Sequence, residues 1–122
     1  SDSDEVKWWI LVSADDCGEA CREWLDVTRR VHKRLHREAD RVRRAFISGD
    51  GTGATPQAHP RLIELDAREG GNPLGRYARK SESATVFVVD PMGNLVLRYD
   101  SRHDGTDLLE DIEHLLDSSP LG

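Results

Sequence analysis

Apolar residues along this chain come in two kinds of block: short runs that suit a strand, and strips at helical spacing. The first run is Lys7 to Ser13, with Trp8, Trp9, Ile10, Leu11 and Val12 in succession. It reads as a buried strand. Trp8 and Trp9 are consecutive, so they face opposite sides of it. One belongs to the core; the other needs a helix to cover it or marks an interaction surface. Ala14 to Asp16 forms a short turn. From about Gly18 to Glu38 the period becomes helical. Trp24, Thr28, Val31 and Leu35 recur at spacings of four, three and four, with Cys21 and Leu25 on the same side. Arg29, Arg30, Lys33, Arg34 and Arg37 fall on the other faces.

Arg41 to Ser48 reads as a second strand. Gly49 to Pro60, with three Gly and two Pro, is a loop. Leu62 to Leu65 is a short third strand or extended segment, and Leu74 to Lys80 supplies one or two helical turns with Tyr77 buried. Ala84 to Val89 is the most strand-like run after the first. Asp90 to Asn94 is a turn, and Leu95 to Tyr99 alternates apolar and polar and reads as the return strand of a hairpin. Asp104 starts a final helix with Leu108, Leu109, Ile112, Leu115 and Leu116 on its buried face, and Asp104 and Asp107 suit its N-terminal end. The order is β-α-β, loop, β-β-α, which predicts one α/β domain whose helices cover a mixed sheet. A helical crossover makes the first two strands parallel, and the hairpin makes the last two antiparallel.

Length and charge narrow the function. A chain of 122 residues supports one domain with a modest core. Its net charge of −6 argues against a general nucleic-acid role. The charge is uneven: nine Arg and Lys against four Asp and Glu between Arg22 and Arg44, but two Arg against eight acidic residues from Ala84 onward. These are solvated faces of opposite sign, or a docking surface. No run approaches the roughly 18 apolar residues of a membrane span, and no signal peptide is legible.

The sharpest chemical signal is Cys17-Gly18-Glu19-Ala20-Cys21, which holds both cysteines of the chain. It follows a buried strand and opens a helix, where free N–H groups and the helix dipole favour a thiolate. Helical residues one turn apart have Cα atoms about 6 Å apart, inside the roughly 4.4–6.8 Å that a disulfide spans. With Cys17 at the helix cap, the two sulfurs bond or share a soft metal; the alternative is two incidental cysteines, with Cys21 simply packed. Asp15, Asp16 and Glu19 oppose thiolate formation and Arg22 favours it. His32 and His36, one turn apart, have metal-binding spacing but sit among basic surface residues. Glu82 is a surface residue or a proton acceptor and weak ligand beside the cysteines. His59 and His103 are loop histidines able to complete a ligand set if their loops fold over the pair. Gly49 to Gly53 lacks the Lys and following helix of a phosphate loop.

The order of elements and the placing of Cys17 and Cys21 resemble the thioredoxin fold. The C-x-x-x-C spacing, together with Ser83 to Val89 leading into Asp90-Pro91-Met92-Gly93, is similar to the Sco/SenC family of thioredoxin-like, copper-binding assembly factors for cytochrome c oxidase. The resemblance implies a copper site made by Cys17, Cys21 and a third ligand just before Ser83. That family has His there; this chain has Glu82, a poor ligand for Cu(I). Where thioredoxins carry a cis-proline, this chain has Ala84. The resemblance further implies the soluble part of a membrane-anchored protein, with the anchor ahead of Ser1, at the periplasmic face of a bacterial inner membrane. Its partner is then an oxidase subunit or another assembly factor. The expected activity is thiol–disulfide exchange, which needs no cofactor, or copper handling. The alternative is a non-catalytic interaction module that kept the fold and lost the metal site.

Overall fold

The computed structural model describes residues 7–15, 17–48, 61–65, 73–78 and 84–119. Five strands form one sheet: β1 (Trp8–Ala14), β2 (Val42–Ser48), β3 (Leu62–Leu65), β4 (Thr85–Val89) and β5 (Leu95–Tyr99), in the spatial order β3-β2-β1-β4-β5. β1 runs parallel to β2, with Trp8 opposite Val42 and Ala14 opposite Ser48. β2 runs parallel to β3. β4 is antiparallel to both β1 and β5. The mixed sheet and single α/β domain expected from the element order are both present.

Alternation along the strands builds two cores. On one face Trp8, Ile10, Val12, Val42, Phe46, Val86 and Val88 meet both long helices, α1 (Glu19–Arg34) and α2 (Gly105–Ser118). The α1 strip of Cys21, Trp24, Leu25, Thr28 and Val31 is buried there as its spacing predicts. On the other face Leu11, Ala45, Phe87 and Val89 pack against Leu74 and Tyr77 of a 3₁₀ segment, Pro73–Tyr77. The Tyr77 hydroxyl donates to the Gly93 carbonyl at 2.9 Å, tying that segment to the β4–β5 turn. Trp8 enters the helix-side core, and Trp9 packs on the opposite face with the Arg43 guanidinium 6.0 Å from its ring centroid.

Three expectations need correction. The first helix stops at Arg34, not near Glu38. His36 takes a left-handed conformation, with φ 54°, and a 3₁₀ segment follows over His36–Arg41. The cause lies in His32, whose Nε2 sits 3.0 Å from the Ala39 carbonyl and 2.8 Å from that of Val42. It is half-buried and folds the following segment back, so it is not a residue of the exposed basic face. On α2, only Leu108, Ile112 and Leu116 are fully buried; Leu109 and Leu115 pack at the core's margin. The return strand does not alternate cleanly either: Leu95 and Val96 are both exposed on the sheet edge.

Candidate redox site

β1 is hydrogen-bonded on both sides, to β2 and β4, and its last residue Ala14 is fully buried. The chain leaves the sheet there and reaches Cys17 through Asp15, which is exposed. Gly18, in extended conformation, is the N-cap of α1, so Cys17 lies just before the cap and not on it. That shift draws the cysteine Cα atoms to 4.9 Å, closer than one full helical turn places them, and Cys17 and Cys21 are disulfide-bonded. Cys21 is completely buried within the helix-side core, whereas Cys17 is only partly covered. One sulfur therefore faces approach and the other is shielded.

Among the described residues no side chain caps the start of α1. Arg22 lies closest to the motif: its Nη1 donates to the Cys17 carbonyl at 3.2 Å and its backbone N–H to the Gly18 carbonyl at 2.9 Å. Glu19 and Asp15 stand exposed nearby, so opposite charges flank the sulfurs. The other sequence candidates are dispersed. Glu82, His59 and Asp16 lie outside the described residues. Thr85, three residues after Glu82, pairs with Ser13, so β4 starts at the end of the sheet from which Cys17 emerges. Tyr99 pairs with Val86, which brings the His103 loop to that end too. The His103 Nδ1 accepts the Asp100 N–H at 3.2 Å, and its ring meets Tyr99 edge-on. His103 lines a hollow of about 150 Å³ with Ala20, Glu23 and Trp24 of α1. Beside it the Arg102 guanidinium holds the Asp100 carboxyl well below the usual carboxylate range. His32 and His36 do not make a metal pair: His32 spends Nε2 on backbone carbonyls, and His36 has already left the helix. Among the described residues no three His, Cys, Asp or Glu side chains cluster as a metal site.

One feature escaped the motif reading. Arg44, on the helix face of β2, is 3 % exposed. The signal was positional: Arg44 alternates with Val42 and Phe46, so strand period alone turns it inward.

A five-stranded mixed sheet whose central strand delivers a disulfide-bonded cysteine pair to a helix start defines a thioredoxin-like domain. The family described as "Transmembrane-like, thioredoxin-like, C-terminal domain" matches residues 8–119, and the chain belongs to it. Among solved structures it is similar to yeast Sco1 with copper bound, at 18% identity and TM-score 0.67, over 93% of this chain and 80% of that one. It is also similar to Arabidopsis thaliana ScoI with copper bound, at 18% identity and TM-score 0.66, over 94% and 87%. Bradyrhizobium japonicum ScoI with copper bound gives 16% and 0.57, over 90% and 85%. At these identities the likeness is one of fold, and it is the fold that the Sco/SenC resemblance implied. No curated protein matches the chain.

Proposed function

We propose that this domain is a Sco-like accessory factor in the assembly of a respiratory cytochrome c oxidase, working through Cys17 and Cys21. The observation that carries the reading is the bonded pair itself, with Cys17 approachable and Cys21 buried. In the exchange a partner thiolate attacks the Cys17 sulfur, and the Cys17–Cys21 bond breaks. Cys21 leaves as a thiolate with the bonding electrons. A second partner thiolate then attacks the partner's own sulfur in the mixed disulfide and releases Cys17. The partner gains a disulfide, and this chain gains two thiols. The helix N–H groups favour the thiolate released at Cys17, and the positive charge of Arg22, bonded to the Cys17 carbonyl, adds to them.

Reduced, the pair offers two soft thiolates four residues apart, a donor set that suits Cu(I) as cargo. In this reading Glu82, standing where the resembling family has His, is a weak third donor. We include an N-terminal membrane anchor and a periplasmic setting in the proposal, in which an oxidising environment forms the disulfide. No helix among the described residues is long and apolar enough to cross a membrane.

Competition of the reduced protein against a Cu(I) chelator tests copper handling. Cu(I) is expected to bind weakly, and Glu82→His to bind it more tightly. Equal affinity in both proteins would remove Glu82 from the site. The second reading, an interaction module without metal, rests on Glu82 standing where the resembling family has His. It gains if the reduced protein takes up no Cu(I) and its disulfide does not exchange with a thiol–disulfide buffer.

A further inference from the structure

Arg44 is the one charged side chain in the buried part of the described residues. Its Nη2 donates to the Leu25 carbonyl at 2.7 Å, and both Nη2 and Nε reach the Thr28 hydroxyl at 3.3 Å. Those acceptors are neutral. Nη1 makes no hydrogen bond among the described residues, and no carboxylate pairs with the guanidinium. A buried cation without a partner anion is costly. Burial, with Arg29 close by and only Asp26 opposing, lowers its pKa to about 10.

A hollow of about 360 Å³ opens beside Arg44, at the edge between α1 and the start of β3. Among the described residues its ionisable lining is basic: Arg29, His32, Lys33, His36, Arg44 and Arg61. An adjoining hollow of about 460 Å³ shares His32, Arg44 and Arg61, adds Lys7 and Arg43, and among the described residues has Asp40 as its single acid. Arg29 is committed to Asp26 at 2.7 Å, and His32 to backbone carbonyls. Lys33 and Arg61 make no ion pair among the described residues and are exposed at the rim. In a chain of net charge −6 this is a concentrated cationic recess.

We propose that the recess over Arg44 binds a phosphate-type oxyanion, with Arg44 Nη1 as its buried anchor and Lys33 and Arg61 closing on it from the rim. A guanidinium and two further cations match an anion of two charges and several acceptor oxygens better than a single carboxylate. The space reaches the lower end of the roughly 300–1,000 Å³ of small-molecule sites, so the phosphate is accommodated as part of a larger molecule. The site is separate from Cys17 and Cys21 and does not depend on the redox reading.

Calorimetric titration with inorganic phosphate and pyrophosphate, at ionic strength held constant with chloride, tests it. Saturable binding is expected, and Arg44→Gln should weaken it about tenfold or more. Should Arg44→Gln fail to fold, the exposed pair Lys33→Gln and Arg61→Gln, made together, carries the test with the same expected loss. Arg30→Gln, outside the recess, leaves affinity unchanged. Vesicles of phosphatidylglycerol, compared with phosphatidylcholine, identify the source. Anionic vesicles that bind and are displaced by phosphate at constant ionic strength assign the oxyanion to a lipid headgroup. Phosphate binding without vesicle binding assigns it to a soluble ligand. Phosphate binding no tighter than chloride, or unchanged in the Lys33 and Arg61 double variant and in Arg44→Gln, overturns the proposal.

Discussion

The phenol of Tyr99 is 3 % exposed at the end of β5, and its hydroxyl donates to Asp111 of α2 at 2.5 Å. Burial first, then the Asp111 carboxylate, raises its pKa well above that of a free tyrosine. A raised folded-state pKa means the native protein holds this proton more tightly than the unfolded chain. The stabilisation is complete below the unfolded value of about 10 and fades as pH rises beyond it. Denaturant unfolding between neutral and strongly alkaline pH should therefore show a loss of stability above about pH 10, smaller in Tyr99→Phe. An identical slope in the variant would assign the loss to other groups. At the sulfurs, burial predicts that alkylation of the reduced protein labels Cys17 faster than Cys21, as mass spectrometry of timed digests will show. Faster reaction at Cys21 would invert the proposed attack. This pair was legible in the sequence because strand, spacing and helix start coincide there. His103 was legible only as a loop histidine, since its place beside α1 depends on where β5 ends. Arg44 was legible by strand period but not by motif, because its neutral partners belong to a helix sixteen and more residues away.

Helix packing gives the next predictions. Leu35 is 5 % exposed and closes α1, so Leu35→Ala should cost about 2–5 kcal/mol. Leu109, at the core's margin, should cost clearly less. Thermal or denaturant unfolding ranks the two, and an equal cost would contradict the faces seen here. Gly105, at the start of α2, touches α1 closely: a Cβ there would lie 2.8 Å from Val27 Cγ1. Valine has little rotamer freedom with which to retreat, so Gly105→Ala should destabilise by about 1–3 kcal/mol. The start of α2 was readable because Asp104 caps it, accepting the Thr106 and Asp107 N–H groups at 2.9 and 3.1 Å. The end of α1 was not, because the apolar period runs on to Leu35 while the fold-back is set by His32 reaching carbonyls seven and ten residues onward. Leu109 was misplaced for a similar reason: period defines a stripe, and only the neighbouring helix decides how wide the buried part is.

At the scale of the whole molecule, strand pairing followed from connection lengths, since a helical crossover and a short turn each permit one direction. That both long helices share one face, with the described residues setting a 3₁₀ segment on the other, needed the three-dimensional structure. The disulfide contributes modestly to overall stability. It closes a loop of five residues, worth on the order of 2 kcal/mol or less in chain entropy, so reduction should lower the unfolding midpoint by about 10 °C or less. The central position of β1 has a further consequence, one of timing. Its amides are locked from both sides, whereas β3 and β5 are each bonded on one. Amide hydrogens at Ile10 to Val12 should then exchange with solvent only through near-global opening, and those of Leu62–Leu65 and Leu95–Tyr99 through cheaper local fluctuations. The cysteine pair is thus hinged to the part of the molecule that opens last. Exchange measured on the oxidised and on the reduced protein should then show the same protection at Ile10 to Val12, and a loss of protection there on reduction would show that β1 does not hold its register without the Cys17–Cys21 bond.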